Sequence, residues 1–418
     1  MFNLPLAARC FYHANFRLFV TAFLLLSICV PAGAEISVVW EKEIPCGDRS
    51  LNPYSLFVTD KGIVRVTGVT YLYRKKEDGG KTDLMLTEYR LNLDTGKSES
   101  KTLMPMDAGD ITLTLPSCAI KKPEMIDENV AIVRKQYKSH DFEELTIGGD
   151  WKVTNRQIPG PADRNVSTYG ACRNTSGDVF LCGGKGYISK VDKDASLVWD
   201  VNYKSEKYGD ATKEVAYSKR RDVIVALGFS AEPDTKFTSR DSNLWLANVD
   251  SEGSIISKTQ FDGVMNFGKD CSLYLDTDDN PVVIYDVSKE IADAEMQITK
   301  FSKDLQTKLW TTTVFKEENV MVSGCSMRDF GKDKILAVFT YLNRKKMPDC
   351  GGVPLAVYIL DKDGKIVDGS RSQCLSVWKD LAVVYEDKIF VLSKTHENKN
   401  GQIRIGAKLV CLKVAEGT

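Results

Sequence analysis

Histidine is scarce in this 418-residue sequence, which contains only three, and His13 lies close to the N-terminus. The two others are too few to build a His-rich metal site. Lys and Arg total 56 against 57 Asp and Glu, which gives a net charge of -1. That balance argues against a nucleic-acid binder, which needs a strongly basic surface. With 43% hydrophobic and 27% charged residues, the composition is typical of a globular protein and excludes wholesale disorder.

Catalytic and cofactor motifs are also missing. The sequence has no C-x-x-C pair, no G-x-S-x-G nucleophile motif, no P-loop and no G-x-G-x-x-G pattern. His140 and His396 lie in polar segments, so we expect surface histidines. Residues 361–364 resemble the start of a calcium loop, but Ser372 stands where that loop needs Glu. We therefore predict no catalytic residue, no cofactor and no metal, and we favour a protein that is not an enzyme.

The first 34 residues form a distinct segment because they contain no Asp, Glu or Lys. An apolar run from Leu18 to Ile28 precedes Ala32-Gly33-Ala34, as in a secretory signal peptide with its cleavage site. We predict a signal peptide at 1–34 and export to the periplasm or the exterior. A retained anchor is the alternative. No later stretch is long and apolar enough to predict a transmembrane segment.

Cysteine use fits an exported chain without a disulfide scaffold. Nine of the eleven Cys follow the leader. Because nine is odd, at least one thiol is unpaired or pairs outside the chain. Most should be packing residues, since buried Cys behaves as a small hydrophobe. The best candidates for a bridge are Cys172 and Cys182, which flank a turn at 174–178 that would set them across a hairpin.

A turn that begins with Asp and continues to Gly recurs along the chain, between two apolar segments. Such turns join the strands of hairpins. Copies of differing quality start at or near Leu93, Gly148, Asp192, Asp250, Ser302 and Asp361. Several are followed by a Trp or an aliphatic pair, as in Leu197-Val198-Trp199. The recurrence predicts a β repeat protein.

A second series sets the length of the repeat. Small residues recur at a mean spacing of 54.5, namely Ser55, Cys118, Cys172, Ala216, Cys271, Cys325 and Ala382. Seven units of four short strands fill residues 35–418, which predicts an all-β fold, a seven-bladed β-propeller of four-stranded blades. The small residues would lie on the innermost strands, where space is tight.

Two further observations support one closed domain over residues 35–418. The segment from Tyr71 to Lys76 recurs as Tyr341 to Lys346, at an offset of 270, or five repeats. Residues 36–41 match the strand at 196–200 that follows a repeat turn. The N-terminal strand should therefore complete the last blade, which removes open sheet edges.

The turn segments Leu91 to Lys97 and Asp192 to Trp199 resemble the repeats of pyrroloquinoline-quinone-like and WD40-like propellers. This resemblance implies the fold and leaves the function open. Quinoprotein dehydrogenases of that group typically carry an adjacent Cys pair at their cofactor. This sequence has none, so the resemblance does not imply a quinone cofactor.

Two basic triplets are the candidate ligand-binding residues, namely Arg74, Lys75, Lys76, Arg344, Lys345 and Lys346. They fall between the second and third strands of units one and six, where loops are expected on one face. The alternative is that the two triplets only keep their loops solvated and bind no ligand. A third triplet, Lys219-Arg220-Arg221, should be a plain exposed turn on the opposite face. Longer second-to-third-strand loops are predicted at 231–242, 287–294 and 394–402.

The sequence thus favours an exported, soluble binding or scaffolding module, a monomer within a complex, for a protein partner or an anionic ligand. The alternative is a hydrolase, lyase or oxidoreductase with its active site at the mouth of the propeller channel. Fold analogy alone does not decide between them.

Overall fold

The structure is a computed structural model. It describes residues 36–59, 61–73, 82–106, 113–114, 129–134, 142–160, 168–203, 209–231, 243–263, 271–288, 290, 293–343, 354–372, 377–399 and 402–414. The signal-peptide prediction for residues 1–34 lies outside this part of the chain. All 28 elements are β-strands. Among the described residues, no helix is long and apolar enough to cross a membrane.

The strands form sheets of four consecutive strands, which we number along the chain from β2. Sheet 1 contains β2 (Ser50–Val58), β3 (Ile63–Tyr73), β4 (Thr82–Asn92) and β5 (Ser98–Met106). Sheet 2 contains β6 (Leu113–Thr114), β7 (Asn129–Arg134), β8 (Phe142–Ile147) and β9 (Val153–Ile158). Sheet 3 contains β10 (Thr168–Arg173), β11 (Val179–Gly183), β12 (Tyr187–Val191) and β13 (Leu197–Asn202).

The remaining sheets follow the same plan. Sheet 4 contains β14 (Gly209–Ser218), β15 (Val223–Ala231), β16 (Asn243–Val249) and β17 (Ile255–Asp262). Sheet 5 contains β18 (Ser272–Leu275), β19 (Pro281–Asp286), β20 (Ala294–Phe301) and β21 (Lys308–Glu317). Sheet 6 contains β22 (Val320–Asp329), β23 (Lys334–Asn343), β24 (Leu355–Asp361) and β25 (Ile366–Ser372). Sheet 7 contains β26 (Val377–Tyr385), β27 (Lys388–Lys399), β28 (Gln402–Val414) and β1 (Ile36–Glu43).

Sheet 2 corrects the prediction of seven equivalent blades. Six sheets are regular blades with strands of four residues or more, whereas the first strand of sheet 2 has two residues, Leu113 and Thr114. Pro116 and Pro123 follow it in the sequence, and proline lacks the N–H that a strand ladder needs. The propeller therefore has six regular four-stranded blades, not seven, and one irregular sheet. Cys118, which we expected on an opening strand, lies outside the described residues.

The small-residue series lies where the repeat predicts. Ser55, Cys172, Ala216, Cys325 and Ala382 are in the first strands of five sheets, and Cys271 immediately precedes β18. Those first strands contact one another around the ring, as β14 contacts β18 and β18 contacts β22. They are the innermost strands of the propeller, and the crowding there favours small side chains.

The N-terminal strand closes the ring, as predicted. β1 pairs antiparallel with β28, and Ile36 lies opposite Val414. Trp40 packs against Phe390, with ring centroids 5.9 Å apart. The backbone N–H of Ile44 donates to the Ala407 carbonyl at 2.9 Å. The first strand is thus the fourth strand of the last sheet, and the sheet edge of β28 is covered.

The core lies between adjacent sheets. One cluster joins sheets 7 and 1 and includes Leu56, Val66, Phe390 and Leu409. A larger cluster joins sheets 5 and 6 through buried residues such as Phe339. Because apolar side chains face both sides of each inner strand, every sheet is buried against two neighbours.

The repeat turns form because their first side chain satisfies the backbone. In the turns that start at Asp192, Asp250 and Asp361, the Oδ1 atom accepts two backbone N–H groups, two and four residues later. Gly253 and Gly364 have positive φ angles of 86° and 82°, which glycine adopts without strain. The Asp/Gly hairpin turns are therefore confirmed.

Candidate functional site

The two ends of the propeller carry different connections. Antiparallel strands place the turns between strands one and two and between strands three and four at one end, which we call the turn face. The links between strands two and three, and from each sheet to the next, lie at the other end, which we call the loop face. Loops on a rigid scaffold are where recognition is usually found.

The stems of both basic loops lie on the loop face. In sheet 1, β3 ends at Tyr73 and β4 begins at Thr82; in sheet 6, β23 ends at Asn343 and β24 begins at Leu355. The triplets at 74–76 and 344–346 fall between these ends, and they lie outside the described residues. Sheets 1 and 6 both contact sheet 7, through β2 and β22 against β26. The two stems therefore flank the closing sheet.

Polar contacts hold both stems. The Arg49 guanidinium forms an ion pair with the Asp83 carboxylate, and its Nη1 donates to the Asp83 carbonyl at 3.2 Å. In sheet 6, the Tyr341 N–H donates to the Pro354 carbonyl at 3.0 Å. Both loops therefore leave from fixed strand ends, and this limits the positions that the loops can reach.

The described part of the loop face has several carboxylates. In sheet 5, Glu290 and Glu318 are exposed. Asp293 is half-buried, and its Oδ1 accepts the Asn319 N–H at 2.9 Å. At the outer edge, the Arg371 guanidinium pairs with Glu317. These acids all lie on sheet 5 or in the link that follows it.

The prediction of a long loop at 394–402 is wrong. The segment 394–402 is mostly strand: β27 continues to Lys399, β28 begins at Gln402, and Thr395 lies opposite Gly406. The polar composition of this segment hid the ladder. Asn400-Gly401 is the dipeptide that two-residue hairpins favour, and it was the signal that sequence reasoning missed.

The third basic triplet does lie in a first-to-second-strand turn on the turn face, but it is not a plain exposed turn. Lys219 and Arg220 are exposed, whereas Arg221 is half-buried. Its Nη1 donates to the Lys303 carbonyl at 2.5 Å, and its Nη2 donates to the Asp279 carbonyl at 3.1 Å. Burial lowers the pKa of the guanidinium. Arg221 therefore joins sheet 4 to sheet 5.

Contacts of that kind recur around the turn face. At six junctions, a side chain of one sheet donates to a carbonyl in the third-to-fourth-strand turn of the next sheet, and we call each contact a clasp. The clasp donors and acceptors are Lys42 to Gly96, Arg90 to Gly148, Arg156 to Asp192, Trp199 to Ser251, Asn248 to Lys303 and Trp310 to Lys362. These donor–acceptor distances lie between 2.7 and 3.0 Å. The clasps hold neighbouring sheets in register.

The tryptophans of the outer strands have the packing role that their repeat position predicts. Trp199 lies against Gly253, where an added Cβ would come within 3.0 Å of the ring. Trp310 lies against Gly364, where the same atom would come within 2.5 Å. Each Trp ring therefore covers the turn that its indole N–H binds, and glycine is needed for the close approach.

The described cysteines are packing residues. Cys172 lies opposite Phe180 and Cys182 lies opposite Gly170, so the two are offset along the hairpin, and no disulfide joins them. The prediction that they face each other directly is wrong by two residues. The turn at 174–178 has the expected position, but Arg173 pairs with Val179 beside it, so Cys172 is one residue and Cys182 three residues from that pair.

Cys46 should react slowly with alkylating agents. Burial raises the pKa of its thiol from 9.0 to about 11, so the thiolate fraction at pH 8 falls about a hundredfold. The rate of iodoacetamide labelling, followed by peptide mass spectrometry, should still rise between pH 9 and 10. The same residue in urea-unfolded protein is the control, and a folded-state plateau near pH 9 would contradict the assignment.

Comparisons with known proteins bear on the fold. No protein-family model matches the sequence, and no curated protein matches it significantly. A crystal structure of the mitotic checkpoint complex contains a chain of similar structure, with a TM-score of 0.51 and 9% identity over 93% of this chain and 94% of that one. At this identity the likeness shows the fold alone, a β-propeller. The resemblance to pyrroloquinoline-quinone-like repeats stays a prediction.

Two other solved structures are similar over most of their length. A complex of BBS1N with ARL6DN matches with a TM-score of 0.48 and 9% identity, over 93% of this chain and 99% of that one. A member of the DUF4221 family from Bacteroides vulgatus matches with a TM-score of 0.42 and 10% identity, over 92% of this chain and 99% of that one. Neither likeness bears on the function of this protein.

Proposed function

We propose that this protein is an exported β-propeller that binds a protein partner or another anionic ligand through its loop face and acts as a scaffold. The observation that carries the proposal is the position of the two stems at Tyr73 and Asn343. These stems lie on the loop face on both sides of sheet 7, which supports a position there for Arg74 to Lys76 and Arg344 to Lys346. Propellers commonly present such loop faces to their partners.

The chemistry at that face is electrostatic recognition. Two Arg and four Lys side chains would supply positive potential, which speeds encounter with an acidic surface and weakens as salt is added. Arg can bind a carboxylate or phosphate in a bidentate manner, whereas Lys acts as a point charge. The acids of sheet 5 would then orient the partner, since they repel its negative end.

Charge reversal tests the proposal, with heparin as the anionic probe. We expect Lys75→Glu/Lys76→Glu and Lys345→Glu/Lys346→Glu each to elute from a heparin column at lower salt than the unmodified protein, because each replaces two positive charges by two negative ones. The matched control is Lys219→Glu/Arg220→Glu, which makes the same change in net charge on the turn face.

The result depends on which variants elute from heparin at a different salt concentration. If the control shifts elution as far as the loop-face variants do, net charge alone explains the binding and the proposal is wrong. The same variants should then be compared by crosslinking and quantitative mass spectrometry of the protein from its native host. Loss of one near-stoichiometric protein from the loop-face variants alone would identify the partner.

A further inference from the structure

The outer strands of five sheets share an unusual feature close to the turn face. Each contains a β-bulge, an extra residue with no partner on the neighbouring strand. In sheet 3, Val191 pairs with Leu197 and Lys190 with Trp199, so that Val198 is the extra residue. The extra residues are Val39, Val198, Ile256, Leu309 and Val367.

All five extra residues are aliphatic and exposed. Their side chains are between 47% and 59% accessible, and Ile256 is the most exposed. Bulges distort a sheet edge and prevent it from pairing with other strands. That role explains the backbone but not the side chain, since a polar residue would serve equally well. In sheet 1, by contrast, the extra residue Leu103 is partly buried and packs against the core.

Two junctions, between sheets 3 and 4 and between sheets 6 and 7, each have two exposed aliphatic pairs beside them. At the junction between sheets 3 and 4, Leu197 and Val198 lie on one side and Ile255 and Ile256 on the other, all exposed. Between them lies the turn that starts at Asp250, held by the Trp199 clasp. The two aliphatic pairs and the turn that separates them therefore lie on the same stretch of rim.

The charge of that turn differs from the charge of its counterparts. The turn at 250–254 contains Asp250 and the exposed Glu252, and no Lys or Arg. The equivalent turns of sheets 5 and 6 contain Lys303 and Lys362 beside their acids. Asp250 is occupied by two backbone N–H groups, whereas Glu252 extends to solvent and receives the Ser251 hydroxyl. The stretch is thus apolar and acidic.

We propose that this stretch, the 3–4 rim (Leu197, Val198, Glu252, Ile255 and Ile256), is a docking surface for a protein segment that is both apolar and basic. Aliphatic side chains of the segment would cover the two bulges, and its Lys or Arg would pair with Glu252. Glu252 and the neighbouring Asp250 would repel an anionic lipid surface. Because the 3–4 rim lies towards the turn face, this site is independent of the loop face.

Two synthetic peptides can test the proposal on the whole protein. One is an amphipathic helix with a leucine face flanked by lysine; the other replaces each lysine by glutamate. Fluorescence anisotropy should show saturable binding of the lysine peptide that weakens with salt, and much weaker binding of the glutamate peptide. Val198→Ser/Ile256→Ser should weaken binding of the lysine peptide roughly tenfold, as should Glu252→Lys.

Equivalent bulges supply the matched controls. Val39→Ser/Val367→Ser removes the same kind of exposed side chain from sheets 7 and 6, and Asp363→Lys makes the same charge reversal in the sheet 6 turn. These variants should bind the lysine peptide unchanged, and all variants should keep their melting temperature. Equal binding of the two peptides, no saturable binding, or equal losses in rim and control variants would each overturn the proposal.

Discussion

Deletion of residues 35–45 is expected to open the propeller and replace its single cooperative unfolding transition by a broad one. The deletion removes β1, its ladder with β28, the Trp40 contact with Phe390 and the Lys42 clasp. The loss should be on the order of 5 kcal/mol, comparable with the whole free energy of unfolding of a typical domain. The freed edge of β28 should also promote aggregation.

The control is a chain that begins at Glu35, which keeps β1 intact. Calorimetry and light scattering of the two proteins provide the measurement. A shortened chain that stays monomeric and melts in one sharp transition would show that closure by β1 is dispensable. A narrower variant, Trp40→Ala, should have an intermediate effect, because it removes the aromatic contact and keeps the strand.

The second large effect concerns the buried carboxylate of Glu88. Its Oε1 accepts the Nε–H groups of Arg65 at 2.8 Å and of Arg90 at 2.6 Å, and its Oε2 accepts the Thr67 hydroxyl at 3.1 Å. The Arg65 side chain is only 2% exposed. Glu88→Ala should therefore lower the free energy of unfolding by about 3–5 kcal/mol, because it leaves the Arg65 charge buried without its counterion.

An exposed ion pair provides the comparison. Lys316 pairs with Glu295 at 2.7 Å, and the Lys316 side chain is 71% exposed. Lys316→Ala should change the free energy of unfolding by at most about 1 kcal/mol. Urea denaturation of both variants would measure the difference. The Arg65 Nη2 also donates to the carbonyl of Ile147 in sheet 2 at 2.9 Å. If Glu88→Ala costs no more than Lys316→Ala, the cluster around Arg65 does not hold sheet 1 to sheet 2.

The sequence predicted the features that are repeated with the same residue types. Asp192, Asp250 and Asp361 mark hairpin turns because one carboxylate satisfies two N–H groups wherever it occurs. The match of residues 36–41 with 196–200 predicted the closing strand, since 196–200 opens the fourth strand of its sheet. The offset between Tyr71 and Tyr341 predicted that two basic loops occupy the same position in their sheets.

The features that could not be predicted from the sequence depend on contacts between distant residues of differing type. Clasp donors are Lys, Arg, Trp and Asn side chains, so no one residue type marks the position. Arg65 and Glu88 give no sign in sequence that they meet in the core. The irregularity of sheet 2 was not predicted, because the mean spacing of the repeats does not reveal one exceptional unit. The sequence did not reveal the bulges, because it does not distinguish a Val or Ile that is exposed in a strand from one that is buried in the core.

The clasps also give the ring a direction. Every one runs from a sheet to the sheet that follows it, so sheets 1 to 5 each have a donor side and an acceptor side that differ, while sheet 7 only donates and sheet 6 only accepts. In a symmetric oligomer such a contact is called heterologous, and repetition of it gives a closed ring only when the rotation between units suits their number. This single chain obeys the same geometry as a cyclic assembly of subunits. The irregular sheet 2 must therefore occupy the part of the full turn around the propeller axis that the six regular blades do not fill.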